Sequence, residues 1–541
     1  MSRYLYGASV QGIQGFIFET NKLQEIVGAS DLIEWFCSVE FLARFSSEHN
    51  IEIVKKNVVR NAGGNIRIVF EKLDELEKMV REFPKYIMEK AYGITLSQAV
   101  VEFKEGEYLN KKDALEFHLT KARNQATMPL DARFSLMKQT PRTGKPAYQS
   151  ETYDKGTQKE RTEYFDRGNW QKRDNRDEAR VNILLGKLGL KDIFEKFPLE
   201  MDKIANDNNK IAIIHADGNK MGLMLQQMNK DLKGKSDDDI QKVFKTFSTA
   251  ITNSTNDAVK KAFEDTFSQE DETIKFRPIV IGGDDVTVIC DADKALDFTQ
   301  AYLKAFENNT KKNFKEAELS QYAEKLTACA GISFCNKKFP FHYAYDLAEH
   351  LCSYAKEESG REASCLVSHN IQSSYVEDYR TYIEQELTTR EGIKLLFAPY
   401  YTEQEPKIDT LVELHKLFSD NDIPLGKYRE WLTELHKSKE FAELFLERVD
   451  SVLQSKIGSE KYKNIERILQ KLDSRFQLNR LIVNCFNHNE LSKKFKKLIW
   501  NKEYKKLNLK DWQYQYNEFT KGVNKTPMQD IMQLKSVIGR K

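Results

Sequence analysis

The sequence predicts an α+β protein built from two tandem ferredoxin-like domains followed by an all-helical C-terminal domain. Three observations carry that reading. Residues 4–103 run strand, helix, hairpin with a Gly-Gly tip, helix, strand. The same order returns after residue 205, which makes an internal duplication. From about Ser373 onward apolar residues recur almost wholly at helical spacing.

In the first copy, Tyr4–Val10 reads as a strand ending at Gln11-Gly12-Ile13-Gln14-Gly15. A helical pattern follows from about Phe16 to Ser46, with Leu23, Ile26, Val27, Leu32, Ile33 and Phe36 roughly on one face. The apolar segments Ile51–Val54 and Val58–Ala62 then lead to Gly63-Gly64-Asn65 and to Ile66–Phe70. A helix over about Lys72–Ala91 and a strand over Leu96–Phe103 close the unit. In the second copy, strand Ile211–Ala216 opens into Asp217-Gly218-Asn219-Lys220-Met221-Gly222, and a helix covers roughly Asp237–Phe267. The hairpin from Phe276 to Cys290 turns at Gly282-Gly283-Asp284-Asp285, and helix Asp293–Asn313 and strand Leu326–Phe334 follow. Side by side, Gln11 stands where Asp217 stands, and Asn65-Ile66 where Asp284-Asp285 stand. The first copy keeps the glycines and has no acids, so it is expected to be a structural partner.

The expected domains are 1–130, an acid-free first domain; 131–205, a linking insert; 206–372, the acid-bearing domain; and 373–541, the helical domain. Residues 137–180 are polar and poor in apolar positions, which predicts a surface excursion, partly flexible. A helix-like stretch, Arg176–Leu190, leads out of it. Leu411–Phe418 and Phe441–Leu453 show the clearest helical faces beyond residue 373.

Lysine plus arginine (84) nearly balance aspartate plus glutamate (82), a net charge of +2, so no global field selects a nucleic acid or a membrane. Seven cysteines without a C-x-x-C pair fit reduced, mostly buried thiols. The N-terminus has no signal-peptide apolar core, and no apolar run reaches the ~20 residues of a membrane helix. The expectation is a soluble, cytoplasmic protein without a membrane partner.

The chemistry concentrates between Ile211 and Cys290. Adjacent carboxylates at a strand tip repel, and a fold keeps them mainly where a cation neutralises them. Asp284, Asp285 and Asp217 supply hard oxygen ligands for Mg²⁺ or Mn²⁺, and the Ala216 or Gly218 carbonyl is a candidate backbone ligand. Gly218, Gly222, Gly282 and Gly283 let backbone approach metal and triphosphate. The helix opening after Asn219-Lys220 offers N–H groups to phosphate oxygens. Downstream, the helix from Tyr345 ends at a Gly360 cap flanked by Lys356 and Arg361, cations suited to a triphosphate. Each feature has a plainer reading beside it. Asp is a common turn residue; cations decorate helix C-termini; His215 fits a packed, hydrogen-bonded histidine better than a ligand. The run Lys493–Lys506, with Phe495, Trp500 and Tyr504, suits an RNA strand but fits a solvated helix face better.

Together these residues resemble the palm-domain large subunit of type III CRISPR effector complexes, the CRISPR polymerase and cyclic-oligoadenylate synthase family. A more distant similarity runs to the GGDEF cyclases. The resemblance covers residues 1 to about 370: Val10–Phe18, Asn21-Lys22-Leu23 and Gly28-Ala29-Ser30 in the first palm; Ala216–Gly222, Gly282–Asp285, Ala330-Gly331-Ile332 and Ala355-Lys356 in the second. It implies that Asp217, Asp284 and Asp285 bind two divalent ions and act in catalysis, that ATP or another nucleoside triphosphate is substrate, and that Lys356 contacts phosphate. It leaves guide or target RNA and other effector subunits open as partners. The departures are an absent HD nuclease domain, no cysteine quartet between the palms, and Asn219 where the family often has a second acid. Asn219 is therefore expected to contact nucleotide rather than metal. The expected activity is a nucleotidyltransferase that makes a signalling cyclic oligonucleotide in antiviral defence. The competitors are a noncatalytic palm scaffold of an RNA-guided complex, a template-dependent polymerase and a diguanylate cyclase. Base specificity, product size and linkage, activation and oligomeric state stay open.

Overall fold

The structure, a computed structural model, describes residues 2–448 and 527–538, apart from 54–56, 126–135, 155–159, 175–181, 323, 373–377, 391–393, 405, 421–424, 438–440, 443 and 446–447. In chain order the elements are β1 (Arg3–Gln11), α1 (Ile13–Ile17), α2 (Leu23–Phe36), α3 (Val39–His49), β2 (Val58–Ala62), β3 (Asn65–Phe70), α4 (Leu73–Lys90), β4 (Thr95–Phe103), α5 (Tyr108–Arg123), β5 (Gln149–Asp154), β6 (Glu160–Phe165), α6 (Arg167–Arg173), α7 (Ile183–Lys187) and α8 (Met201–Ile204). They continue as β7 (Lys210–Gly218), α9 (Met221–Asp231), α10 (Asp237–Thr266), β8 (Phe276–Gly282), β9 (Asp285–Asp291), α11 (Ala295–Glu316), β10 (Ala328–Asn336), α12 (Phe341–Glu358), β11 (Cys365–Asn370), α13 (Tyr379–Glu386), β12 (Tyr400–Tyr401), α14 (Ile408–Asp420), α15 (Leu425–Lys437) and α16 (Met528–Val537). Sheets and helices in this mixture make an α+β protein.

The chain forms two compact units. One holds Met1–Ala205, Ile213–Ala328 and Lys337–Tyr345; the other holds Asn206–Ala212, Cys329–Asn336 and Asp346–Lys541. In the first unit, β2-β3-β1-β4 form an antiparallel sheet in that order. Helices α2, α3 and α4 cover it with an aromatic core in which Trp35 meets Phe41 at 4.7 Å and Phe45 meets Phe83 at 5.0 Å. The same unit holds the β8–β9 hairpin, with β9 beside β7. Helix α10 starts because Ser236 accepts the Asp239 N–H and three aspartates occupy the first turn, favourable charges at the positive end of the helix. It packs along α11 through Phe247 and Phe314, while Phe263, Phe276 and Phe298 stack beneath the hairpin. Asp237 ties α10 to the first sheet, accepting from Arg3 at 2.6 Å and from the Gly106 and Tyr108 N–H groups.

In the second unit β10 pairs in parallel with β11, and β11 pairs antiparallel with β12. Gly331 on β10 lets α12 lie on the strand, since a Cβ there would sit 2.0 Å from the Ala348 carbonyl oxygen. Asp530 of α16 accepts from the Phe397 N–H and the Tyr400 hydroxyl.

Four readings change. The helix expected over residues 16–46 is three helices, because Cys37 ends α2 and Ser38, in an extended conformation, caps α3 through the Phe41 N–H. Helix α5 had no clear apolar stripe to announce it, yet it buries Tyr108, Leu109, Leu115 and Leu119. The polar excursion over 137–180 contains the β5–β6 hairpin and α6, held by ion pairs, Arg142 to the buried Glu25 and Lys145 and Lys172 to Glu19, around the buried ring of Phe165. The helical reading beyond residue 373 misses β12, and strand β11 precedes it unannounced. Leu411–Phe418 falls in α14; Phe441–Leu453 lies largely, and Lys493–Lys506 wholly, outside the described residues.

Candidate active site

Strand β7 delivers the first acid. Ile211–Ala216 is buried throughout, and side chains alternate along a strand, so His215 and Asp217 share one face. The β8–β9 hairpin delivers the second. Gly282 pairs with Asp285, leaving Gly283-Asp284 as a two-residue turn in which Gly283 has φ +66°. The Thr255 hydroxyl of α10 donates to the Gly283 carbonyl at 2.6 Å and pins the turn.

This register corrects the alignment of the copies by one residue. In the first hairpin Ala62 pairs with Asn65 across Gly63-Gly64, so Gly64 stands where Asp284 stands, and Asn65 where Asp285 stands. Gly63 (φ +58°) and Gly64 (φ +73°) are both left-handed, whereas in the second turn only Gly283 is. The two tips meet: a Cβ on Gly282 would lie 3.5 Å from the Gly63 Cα.

Asp217 and Asp284 come together. Gly218 makes this possible, since a Cβ there would lie 2.9 Å from the Asp284 Cβ and 3.0 Å from its Oδ2. Burial, then the neighbouring Asp217 charge and a hydrogen bond with it, push the Asp284 carboxyl up to about 7. A raised Asp284 carboxyl is what such crowding gives when no cation neutralises it. Their hard oxygens fit Mg²⁺ or Mn²⁺. The Asp284 carboxylate also reaches Arg60 of β2 electrostatically, a residue the sequence reading passed over.

Asp285 is placed differently. Its side chain is 44% exposed, and its Oδ1 lies 3.4 Å from His215 Nδ1. Of the three expected acids, Asp217 is in hydrogen-bond contact with Asp284, and Asp285, at the start of β9, adds its charge to Asp284. His215 is packed, as expected, with Nδ1 3.1 Å from Thr287 Oγ1 and its ring edge-on to Tyr345.

Asn219 is a fastener. Its backbone N–H donates to the Thr327 carbonyl at 2.8 Å and its Nδ2 to Thr327 Oγ1 at 3.0 Å, and it is buried. Lys220, at φ +61°, carries the left-handed turn into α9, a conformation that costs a non-glycine residue on the order of 1 kcal/mol. Gly222 is exposed in the first turn of α9. Lys356 and Arg361 belong to the other compact unit, at the end of α12. Gly360 and Arg361 are both left-handed there, and the Arg361 N–H closes on the Lys356 carbonyl at 2.9 Å; Lys356 is buried and Arg361 exposed.

Residues 210–365, from the start of β7 to the start of β11, match the family model described as Cas10/Cmr2, second palm domain. The chain carries a Cas10-like palm. Among solved structures, the Csm1–Csm4 cassette in complex with cA3 is similar at a TM-score of 0.48 and 12% identity, over 99% of this chain and 69% of that one. The cassette in complex with cA4 gives 0.41 and 13%, over 78% and 63%. The Csm1–Csm4 subcomplex of the type III-A CRISPR-Csm interference complex gives 0.42 and 13%, over 80% and 65%. In the last two the chain spans less than two thirds of the protein it matches. No curated protein matches. Within this matched segment lie Asp217, Asp284, Asp285 and Lys356, with Arg361 at its edge.

Proposed function

We propose that the chain is a nucleotidyltransferase that converts ATP into a cyclic oligonucleotide signal in CRISPR-type or related antiviral defence. The observation that carries the reading is the Asp217–Asp284 pair, two carboxylates forced together at the ends of β7 and β8 inside a segment that matches a Cas10/Cmr2 palm. Asp217, Asp284 and Asp285, with the Ala216 and Gly218 carbonyls, would hold two Mg²⁺ or Mn²⁺ ions. When bound, such ions offset the triphosphate charge and make a ribose hydroxyl a better nucleophile towards an α-phosphate. The chain itself would position the substrate: Gly218, Gly222, Gly282 and Gly283 leave room for phosphates, Asn219 holds the loop, and Lys220 supplies a cation. Residues 206–372 would be the catalytic palm and 1–130 its acid-free partner, joined by 131–205 and followed by the helical 373–541. The protein would work in the cytoplasm, with guide or target RNA and other effector subunits as partners.

A second reading is a noncatalytic palm scaffold of an RNA-guided complex, in which the Asp285–His215 contact is structural. The deciding experiment incubates purified chain with each labelled nucleoside triphosphate and Mg²⁺ or Mn²⁺, against an Asp284→Ala, Asp285→Ala control. Synthase activity gives a new oligonucleotide from ATP that the control lowers by several orders of magnitude. No product from any nucleotide, with or without RNA, leaves the scaffold.

A further inference from the structure

His215 was read from the sequence as a packed histidine, and burial agrees, but its contacts are directed at one acid. Strands β7 and β9 are neighbours, and residues two apart on a strand share a face. On that face β7 contributes His215, and β9 contributes Asp285 and Thr287. His215 Nδ1 stands 3.1 Å from Thr287 Oγ1 and 3.4 Å from Asp285 Oδ1. Thr287 is fully buried and cannot drift, and His215 is only 6% exposed. Behind the imidazole, Tyr345 meets the ring at 5.7 Å and accepts a hydrogen bond from Gln14 Nε2 at 3.1 Å, which fixes the ring plane from the other side. The Asp285 side chain is 44% exposed although its Oδ1 is buried, so the exposed part of the carboxylate is the Oδ2 side.

We infer that His215 is a positioning residue for Asp285: its Nδ1, fixed by hydrogen bonding with Thr287 Oγ1, stands against Oδ1 as a polar contact longer than a hydrogen bond and leaves Oδ2 as the oxygen offered to a divalent cation. The inference rests on the reading of the acids as a cation site. It assigns Asp285 a fixed orientation that a half-exposed carboxylate at a strand end would otherwise lack, and outer contacts of this kind change metal affinity by about 10–100-fold.

The test reads Mn²⁺ binding to the purified full chain by titration, without reference to product. His215→Leu keeps an apolar side chain and removes the Nδ1 contact; His215→Asn places an amide near Nδ1, and His215→Gln places one near Nε2. The expected result is a loss of affinity of about tenfold or more in the Leu and Gln variants, with binding restored in Asn and weakened in Thr287→Val. If the Leu variant does not fold, Asn against Gln decides, and equal affinities in the two overturn the proposal. Wild-type affinity in a folded His215→Leu protein overturns it alone. A wild-type chain that binds no Mn²⁺ at millimolar concentration overturns the cation site and this role with it.

Discussion

Substituting Gly218 by alanine isolates the contact on which the candidate site depends. The new Cβ would lie 2.9 Å from the Asp284 Cβ, 3.0 Å from Oδ2 and 3.4 Å from Cγ. Comfortable carbon–carbon separation is about 3.5–4.0 Å, so the two chains must part by about 0.6 Å or more. The obstructing atom is a Cβ held by the backbone of a two-residue turn, which Thr255 pins through the Gly283 carbonyl, so a side-chain rotation cannot relieve it. Overpacking of this size costs about 1–3 kcal/mol. Its larger effect falls on the geometry of the acids, where a displacement of about 1 Å is enough for a 100-fold loss. Gly218→Ala is therefore expected to fold, with a modestly lowered thermal midpoint, and to lose about 10–100-fold in Mn²⁺ affinity and nucleotide turnover. Gly426→Ala is the matched control: a Cβ there meets nothing within 4 Å, and α15 gains a better helix former. Differential scanning fluorimetry and Mn²⁺ titration on the two proteins give the comparison. If Gly218→Ala binds Mn²⁺ as the wild type does, the packing of Gly218 on Asp284 does not set the site.

Two further outcomes follow from neighbouring contacts. Because the folded-state Asp284 carboxyl is raised to about 7 from 3.8, its contribution to folding is fully present below 3.8 and is lost as pH rises through 7. Metal-free protein should thus lose thermal stability between pH 4 and pH 8 more steeply than Asp284→Asn, and equal slopes would contradict the raised Asp284 carboxyl. Gly28→Ala should cost about 3 kcal/mol or more and give largely insoluble protein, because its Cβ would sit 1.7 Å from the Lys172 carbonyl oxygen, backbone against backbone; a soluble variant with the wild-type melting temperature would show that α2 and α6 are not packed this way.

The strands and helices around the acids were legible because their patterns are local. Ile211–Ile214 is an apolar run broken only by His215 before Ala216, α10 opens on a serine and three aspartates, and Gly282-Gly283 marks a tip. What escaped depends on pairing across the chain. The β5–β6 hairpin is mostly polar in sequence, and the segments flanking it are held by Arg142, Lys145 and Lys172 against Glu25 of α2 and Glu19 just before it, so hydrophobic periodicity had little to register. The split between Asp284, which meets Asp217, and Asp285, which meets His215, comes from the lateral order of β7 and β9. One hint was available and went unread: Thr287 stands two residues after Asp285 on an otherwise apolar stretch, and strand alternation puts the two on one face.

The two hairpin tips differ in what their backbones permit. A turn with both central residues left-handed accepts glycine at both, whereas a turn with only the first left-handed leaves the second free to carry a side chain. Gly283-Asp284 is of the second kind and Gly63-Gly64 of the first, and a Cβ on Gly64 would also lie 2.6 Å from Ile13 Cδ1. Gly64→Asp would place a side chain at a left-handed position and against Ile13 and Val10, so the first tip is built for glycine where the second accepts an acid.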